Sequence, residues 1–152
     1  MNQNIREDIF HSVEELFVKK VSGFKEIDRG FRNLKWIVYF DDHTSVFIKQ
    51  YNQKRFDEEK LSHVKTALAI QDMAHRHGVC CSKVYEFDGQ HLITSHQGQT
   101  FTVLEMMEGN VLPPGKASSA QMFSLGQALG KLHQSLSCIS PSKLFWIPNK
   151  DR

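Results

Sequence analysis

The 152-residue sequence has few cysteines, few prolines and almost no net charge. Cysteine occurs only at Cys80, Cys81 and Cys138. An odd number that includes an adjacent pair is poor material for a disulfide framework, so a soluble chain in a reducing cytosol is expected. With only four prolines and nine glycines, collagen-like repeats and low-complexity linkers are excluded. No apolar run approaches the roughly 18 residues of a spanning helix. The N-terminal Met-Asn-Gln-Asn-Ile-Arg-Glu-Asp is polar, with no apolar region behind it of the kind a signal peptide needs. A net charge of +2 and a pI near 8.4 provide no electrostatic basis for a nucleic-acid or membrane partner.

What is present is ordinary globular material, 40% apolar and 24% charged, enough for one domain with a real core. Residues 4–20 read as a helix with Ile9, Val13, Leu16 and Phe17 on one face, ended by Gly23. Strands are expected at about 24–28, 34–40 and 45–51. The first two are separated by the turn Arg29-Gly30-Phe31-Arg32-Asn33 and the last two by Asp41-Asp42-His43-Thr44. A helix over about 55–77 carries Leu61, Val64 and Leu68 at i, i+3, i+7, and Gly78 stops it. Short strands follow at 83–87, 91–94 and 101–106, with Asp88-Gly89 as a turn. Residues 109–115, with Pro113-Pro114, form a loop. The last helix, about 118–137, has the stripe Met122, Leu125, Leu129, Leu132, Leu136, and the tail 140–152 has no periodicity. This order predicts an α+β domain with a mainly antiparallel sheet of about five strands. One face would be covered by a helix and the other left for a ligand or a second domain.

Five segments carry chemical information. In Val46-Phe47-Ile48-Lys49-Gln50-Tyr51, alternation puts Phe47, Lys49 and Tyr51 on one face, and a strand lysine is an aimed point charge suited to phosphate. In the turn Arg29–Asn33, Gly30 lets backbone N–H groups approach an anion. Glu58 and Glu59 open the helix 55–77. Phe101-Thr102-Val103-Leu104-Glu105-Met106-Met107-Glu108-Gly109 is an apolar strand running into a glycine. Leu125-Gly126-Gln127-Ala128-Leu129-Gly130-Lys131-Leu132-His133 is an amphipathic helix with paired glycines, each costing about 1 kcal/mol against alanine. Taken singly, these segments equally describe a solvated lysine, a plain hairpin turn, acids favourable to a helix dipole, a core strand and an ordinary helix.

Their order and spacing, over about residues 24–137, resemble the N-terminal lobe of the aminoglycoside phosphotransferase and choline kinase superfamily, which is protein-kinase-like. The resemblance implies an ATP-binding lobe. Lys49 would hold the α- and β-phosphates, and the turn with Gly30 and Asn33 would cover them. Such lobes pair the strand lysine with a mid-helix glutamate. No other acid precedes Asp72 in this helix, so either Glu58 or Glu59 in the first turn would pair with Lys49, or the pairing is missing. Leu104 would lie behind the adenine, the Glu105 carbonyl and Met107 N–H would meet its edge, and Met106 and Met107 would pack on the ring. It also implies a division into an N-terminal helix (1–22), a nucleotide lobe (23–107), and a hinge, post-hinge helix and beginning of a C-terminal lobe (108–152).

The catalytic loop of that superfamily, resembling His-Gly-Asp-x-x-x-x-Asn, and its later metal-binding Asp do not occur. His77-Gly78-Val79 has valine at the aspartate position and precedes the hinge. No catalytic residue and no Mg²⁺ ligand is therefore expected in these residues, and the chain reads as a portion truncated before the catalytic loop and inactive in transfer by itself. A complete protein would move the γ-phosphoryl of ATP to a hydroxyl of an aminoglycoside-, choline- or sugar-like acceptor. No metal site is expected either. His75 and His77 are two apart on a helix, and Cys80-Cys81 lacks C-x-x-C spacing. No Walker pattern occurs, and no local motif supports a nucleophilic cysteine. The alternative reading is a non-catalytic binding or structural module with kinase-like shape, whose exposed apolar surface near the last helix would favour self-association.

Overall fold

The computed structural model describes residues 2–28 and 33–140. Along the chain run α1 (Asn2–Phe17), β1 (Val21–Glu26), β2 (Lys35–Phe40), β3 (Ser45–Tyr51), α2 (Glu58–Arg76), β4 (Ile93–Thr94), β5 (Thr100–Glu105) and α3 (Ser119–Leu136). The strands form one antiparallel sheet in the order β1-β2-β3-β5-β4, so the α+β class and an antiparallel sheet of about five strands are as expected, although one expected segment takes no part in it.

Residues paired across antiparallel strands share a face, and this sorts the sheet into two surfaces. Trp36, Val38, Val46, Ile48, Phe101 and Val103 lie on one of them, and α1 lays Ile9 and Val13 against it to close the main core. Phe10 meets the Trp36 ring edge-on at 5.7 Å. Phe47, Lys49, Tyr51 and Leu104 lie on the other surface. There a second apolar cluster joins Tyr51, Val84 and Leu92 to Leu68 of α2, with Leu61, Val64 and Leu104 packed on it. Contrary to expectation, both faces carry a helix, because the α2 stripe also needs apolar surface to bury. The β1–β2 end of the second face stays open, with Tyr39 41% exposed.

Two boundaries differ from the sequence reading. Helix α1 stops at Phe17, and Gly23 does not end it but lies in β1, where the register shifts. A Schellman closure ends the helix instead: Val18 N–H donates to Glu15 O (3.3 Å) and Lys19 N–H to Glu14 O (3.1 Å). The position that closure usually gives to glycine is held by Val18 at φ 53°, almost fully exposed. A β-branched residue is strained there, by about 1–2 kcal/mol. Val18→Gly is therefore expected to stabilise the protein by about 1 kcal/mol, read as a higher urea midpoint. An unchanged or lower midpoint would refute the strain. By contrast α2 ends as expected, with Gly78 at φ 79°, and its N-cap Asp57 accepts from Lys60 N–H.

Residues 83–87 are not a strand. They touch β5 through the single bridge Val84–Leu104, after which Asp88 and Gly89 turn the chain to a second bridge, Phe87–Gln90. The Tyr85 and Phe87 rings seat on Phe17 at 5.1 and 5.3 Å, so this segment caps the α1 core rather than extending the ladder. Helix α3 begins with a full capping box at Ser118 and Gln121. Close packing does not account for its paired glycines, since a Cβ added at Gly126 or Gly130 meets nothing within 4 Å.

Candidate functional site

The β3 run is rich in β-branched and aromatic residues, which suits a pleated, half-buried surface. Its alternation aims Lys49 at the α2 side of the sheet. In register beside it stand Lys35 on β2 and Thr102 on β5. Lys49 is half-buried, and that burial, together with the charge of Lys35, pushes its ammonium pKa below the ordinary lysine value. Its Nζ lies 4.9 Å from the centre of the Tyr51 ring. That ring compensates a desolvated cation only in part. Burial raises the Tyr51 phenol to about 12, so the ring face remains neutral.

Among the described residues no ion pair joins Lys49 to Glu58 or Glu59, and both glutamates are exposed in the first turn of α2. Asp57 ahead of them is occupied with Lys60. Asp72, the next acid in the helix, is buried but pairs with Arg76 (Nε to Oδ2, 2.7 Å). What α2 turns toward this face is leucine and valine.

Leu104 sits opposite Phe47 across the β3–β5 ladder, on the face that carries Lys49. The Glu105 carbonyl already accepts from Ser82 Oγ at 2.7 Å, which leaves one of its two lone pairs. Glu105 N–H donates to Lys83 O (2.9 Å). Met107 is 46% exposed, and among the described residues its N–H donates to no group. Asn33 lies two residues before β2, and its Oδ1 is buried and unmatched among the described residues. Gly30 and the rest of the turn 29–32 lie outside the described residues, as does the tail from residue 141. The geometry thus brings Lys49, Leu104 and the strand leading to Met107 together, and leaves Glu58 and Glu59 apart from Lys49 as an ion pair.

The sequence reading missed Lys35 and Ser82. Lys35 was within reach, since a hairpin about the turn 41–44 pairs 35 with 49. No local pattern announces Ser82. The His75–Cys81 cluster holds no metal-like arrangement: His75 Nδ1 is bonded to Cys81 O (2.9 Å), and burial pushes the Cys81 thiol up. Asp72, Glu86 and His91 converge, but Arg76 fills the space between the acids, its Nη2 3.2 Å from Glu86 Oε2. That group ties the end of α2 to the segment before β4.

No protein-family model matches this sequence, and no curated protein is significantly similar to it. Among solved structures, the chain superposes on amicoumacin kinase hAmiN, determined in complex with AMP-PNP, Ca²⁺ and Ami. The TM-score is 0.70 at 11% identity, over 98% of this chain and 45% of that one. The chain has the fold of a kinase-like N-terminal lobe. The sheet order and the helix beside Lys49 are thus those of a kinase-like lobe, and the chain spans less than half the length of that kinase. No helix of the described residues is long and apolar enough to cross a membrane.

Proposed function

We propose that this lobe binds ATP as the nucleotide-holding part of a small-molecule phosphotransferase. The observation that carries this reading is Lys49: a half-buried cation with no described acid partner, aimed from β3 with Lys35 beside it. Burying a charge without a counter-ion is costly, and a polyphosphate supplies the missing negative charge. The Met107 N–H, unengaged among the described residues, and the remaining Glu105 lone pair supply one donor and one acceptor for an adenine edge. Leu104 supplies an apolar back wall. Gly30 and Asn33 cover the phosphates, and the nucleotide-holding part is residues 23–107, between an N-terminal segment 1–22 that carries α1 and a hinge with post-hinge helix in 108–152. The carboxylate that activates an acceptor hydroxyl and the Mg²⁺ ligands are not among these residues. The reading therefore assigns them nucleotide binding rather than transfer. The acceptor, an aminoglycoside-, choline- or sugar-like alcohol, is met by a second lobe, and the protein acts in the cytoplasm.

Calorimetry with AMP-PNP and Mg²⁺ tests this. One weak site per chain is expected, and heats equal to buffer dilution would overturn the reading. One observation favours the second reading, a non-catalytic module of the same shape: α2 presents apolar side chains where an acid would hold Lys49. Such a module would give no nucleotide heat while keeping its fold.

Among the described residues the apolar stripe of α3 is uncovered, with Met122, Phe123, Leu125 and Leu129 between 45% and 69% exposed. The lobe is expected to self-associate through it. Sedimentation at rising concentration should show dimer or larger species, and Leu125→Glu with Leu129→Glu should restore the monomer. A wild-type chain that remains monomeric would refute this.

A further inference from the structure

On the α1 side of the sheet, away from Lys49, three potential metal ligands converge. His11 and Glu15 stand one helical turn apart on α1, and His96 comes from the turn between β4 and β5. His11 Nε2 lies 3.5 Å from Glu15 Oε1, and His96 Nε2 lies 2.7 Å from Glu15 Oε2. The two imidazole rings are 5.6 Å apart, and one ligand atom from each of the three residues falls within 4.8 Å of the others. Metal–ligand bonds of about 2.0–2.1 Å in a tetrahedron place donor atoms about 3.3 Å apart. The observed separations bracket that value, and exposed side chains adjust to it by small rotations.

The turn is held where it is by a buried group. Asp8, on the same side of α1 at i−3 from His11, is 6% exposed. Its Oδ1 accepts from Gln97 N–H at 3.0 Å and its Oδ2 from the Ser95 hydroxyl. Ser95 Oγ accepts in turn from Gln99 N–H at 2.8 Å. The residues on both sides of His96 are thus tied to the helix that bears the other two ligands. This is the kind of outer support that orients metal ligands. The result is a shallow groove of about 600 Å³ between α1 and the turn, lined also by Asn4 and Glu7.

We propose that His11, Glu15 and His96 bind one divalent transition-metal ion of the zinc class, joining α1 to the β4–β5 turn. Two imidazoles and one carboxylate suit Zn²⁺, Co²⁺, Ni²⁺ or Cu²⁺, and are a poor match for Mg²⁺ or Ca²⁺, which prefer all-oxygen sets. On binding, the ion takes the place of the direct His96 Nε2–Glu15 contact, each imidazole coordinating as a neutral ring through a bare nitrogen while its other nitrogen carries the N–H. Three protein ligands leave a further position for water. Spacing rules could not have found this site, because its third ligand lies 81 residues along the chain from Glu15.

The test uses the full chain with its cysteines blocked by iodoacetamide, titrated with Zn²⁺ by calorimetry and with Co²⁺ by visible absorption. One equivalent is expected to bind, with a raised melting temperature because the ion binds only the folded arrangement. His96→Ala and His11→Ala should each weaken binding by at least about tenfold, and Glu15→Gln should do the same. All three residues are exposed, so the variants are expected to keep wild-type circular dichroism. Failure of the wild-type chain to bind overturns the proposal. So does binding that His96→Ala leaves unchanged, since the ion would then sit elsewhere.

Discussion

Lys49→Ala is expected to weaken AMP-PNP binding by about tenfold to a hundredfold, the loss of one charge-assisted contact worth about 1.5–3 kcal/mol. Lys49→Arg should not rescue it fully, because a planar fork replaces a compact ammonium on a strand that aims a single point. The same residue predicts an opposite effect on stability. Its folded-state pKa is depressed by burial first and by Lys35 second, so the folded chain binds its proton less tightly than the unfolded chain does. Stability contributed by this group therefore rises with pH, from the depressed folded value up to the ordinary lysine value, and below that window the charge is a cost. Lys49→Met removes the cost and should raise the melting temperature at neutral pH while weakening nucleotide binding as Lys49→Ala does. Nucleotide affinity of the wild type should fall as pH rises through that window, as the cation is lost. Equal AMP-PNP affinity in wild type and Lys49→Ala would end the assigned role of Lys49. A lower melting temperature for Lys49→Met would show that the lysine is already compensated within the lobe.

Phe101→Ala is expected to cost about 3–5 kcal/mol, the range for a buried aromatic that leaves a cavity. Phe101 is fully buried on β5, in the core that α1 closes and adjoining the short β4 through its pairing with Ile93. Because interiors are packed close to crystal density, little can move into the space. Urea unfolding by circular dichroism measures the loss, and a change under 1 kcal/mol would mean that α1 is not firmly seated. The two variants probe opposite faces of one sheet. Phe101→Ala should reduce stability sharply, whereas Lys49→Ala should reduce binding in a chain that remains folded.

The α1 stripe Ile9–Val13, the hairpin 35–51 and the α2 stripe were legible in the sequence, because the 3.6 and 2.0 periods follow from backbone geometry alone. That Lys49 shares a face with Phe47 and Tyr51 followed from the same alternation, whereas the packing of α2 on that face did not. Residues 83–87 misled because β-branched and aromatic content marks a half-buried surface rather than a ladder, and here Tyr85 and Phe87 serve that surface by seating on Phe17. Gly23 misled for a related reason. Glycine marks a conformational permission, which β1 uses near its register shift while Val18 takes the left-handed position at the helix end.

By itself the sequence determined the α+β class, the order of the helices and of the main strands, and which residues of β3 share a face with the lysine. These are local consequences of side-chain periodicity and turn chemistry. Only the tertiary structure decided that α2 turns leucine rather than glutamate toward that face, that Ser82 reaches the Glu105 carbonyl, and that His96 arrives beside His11 and Glu15. Each of these joins residues far apart along the chain. Their distance is set by how cores pack and where buried groups such as Asp8 anchor a turn, and no periodicity of a single segment records it.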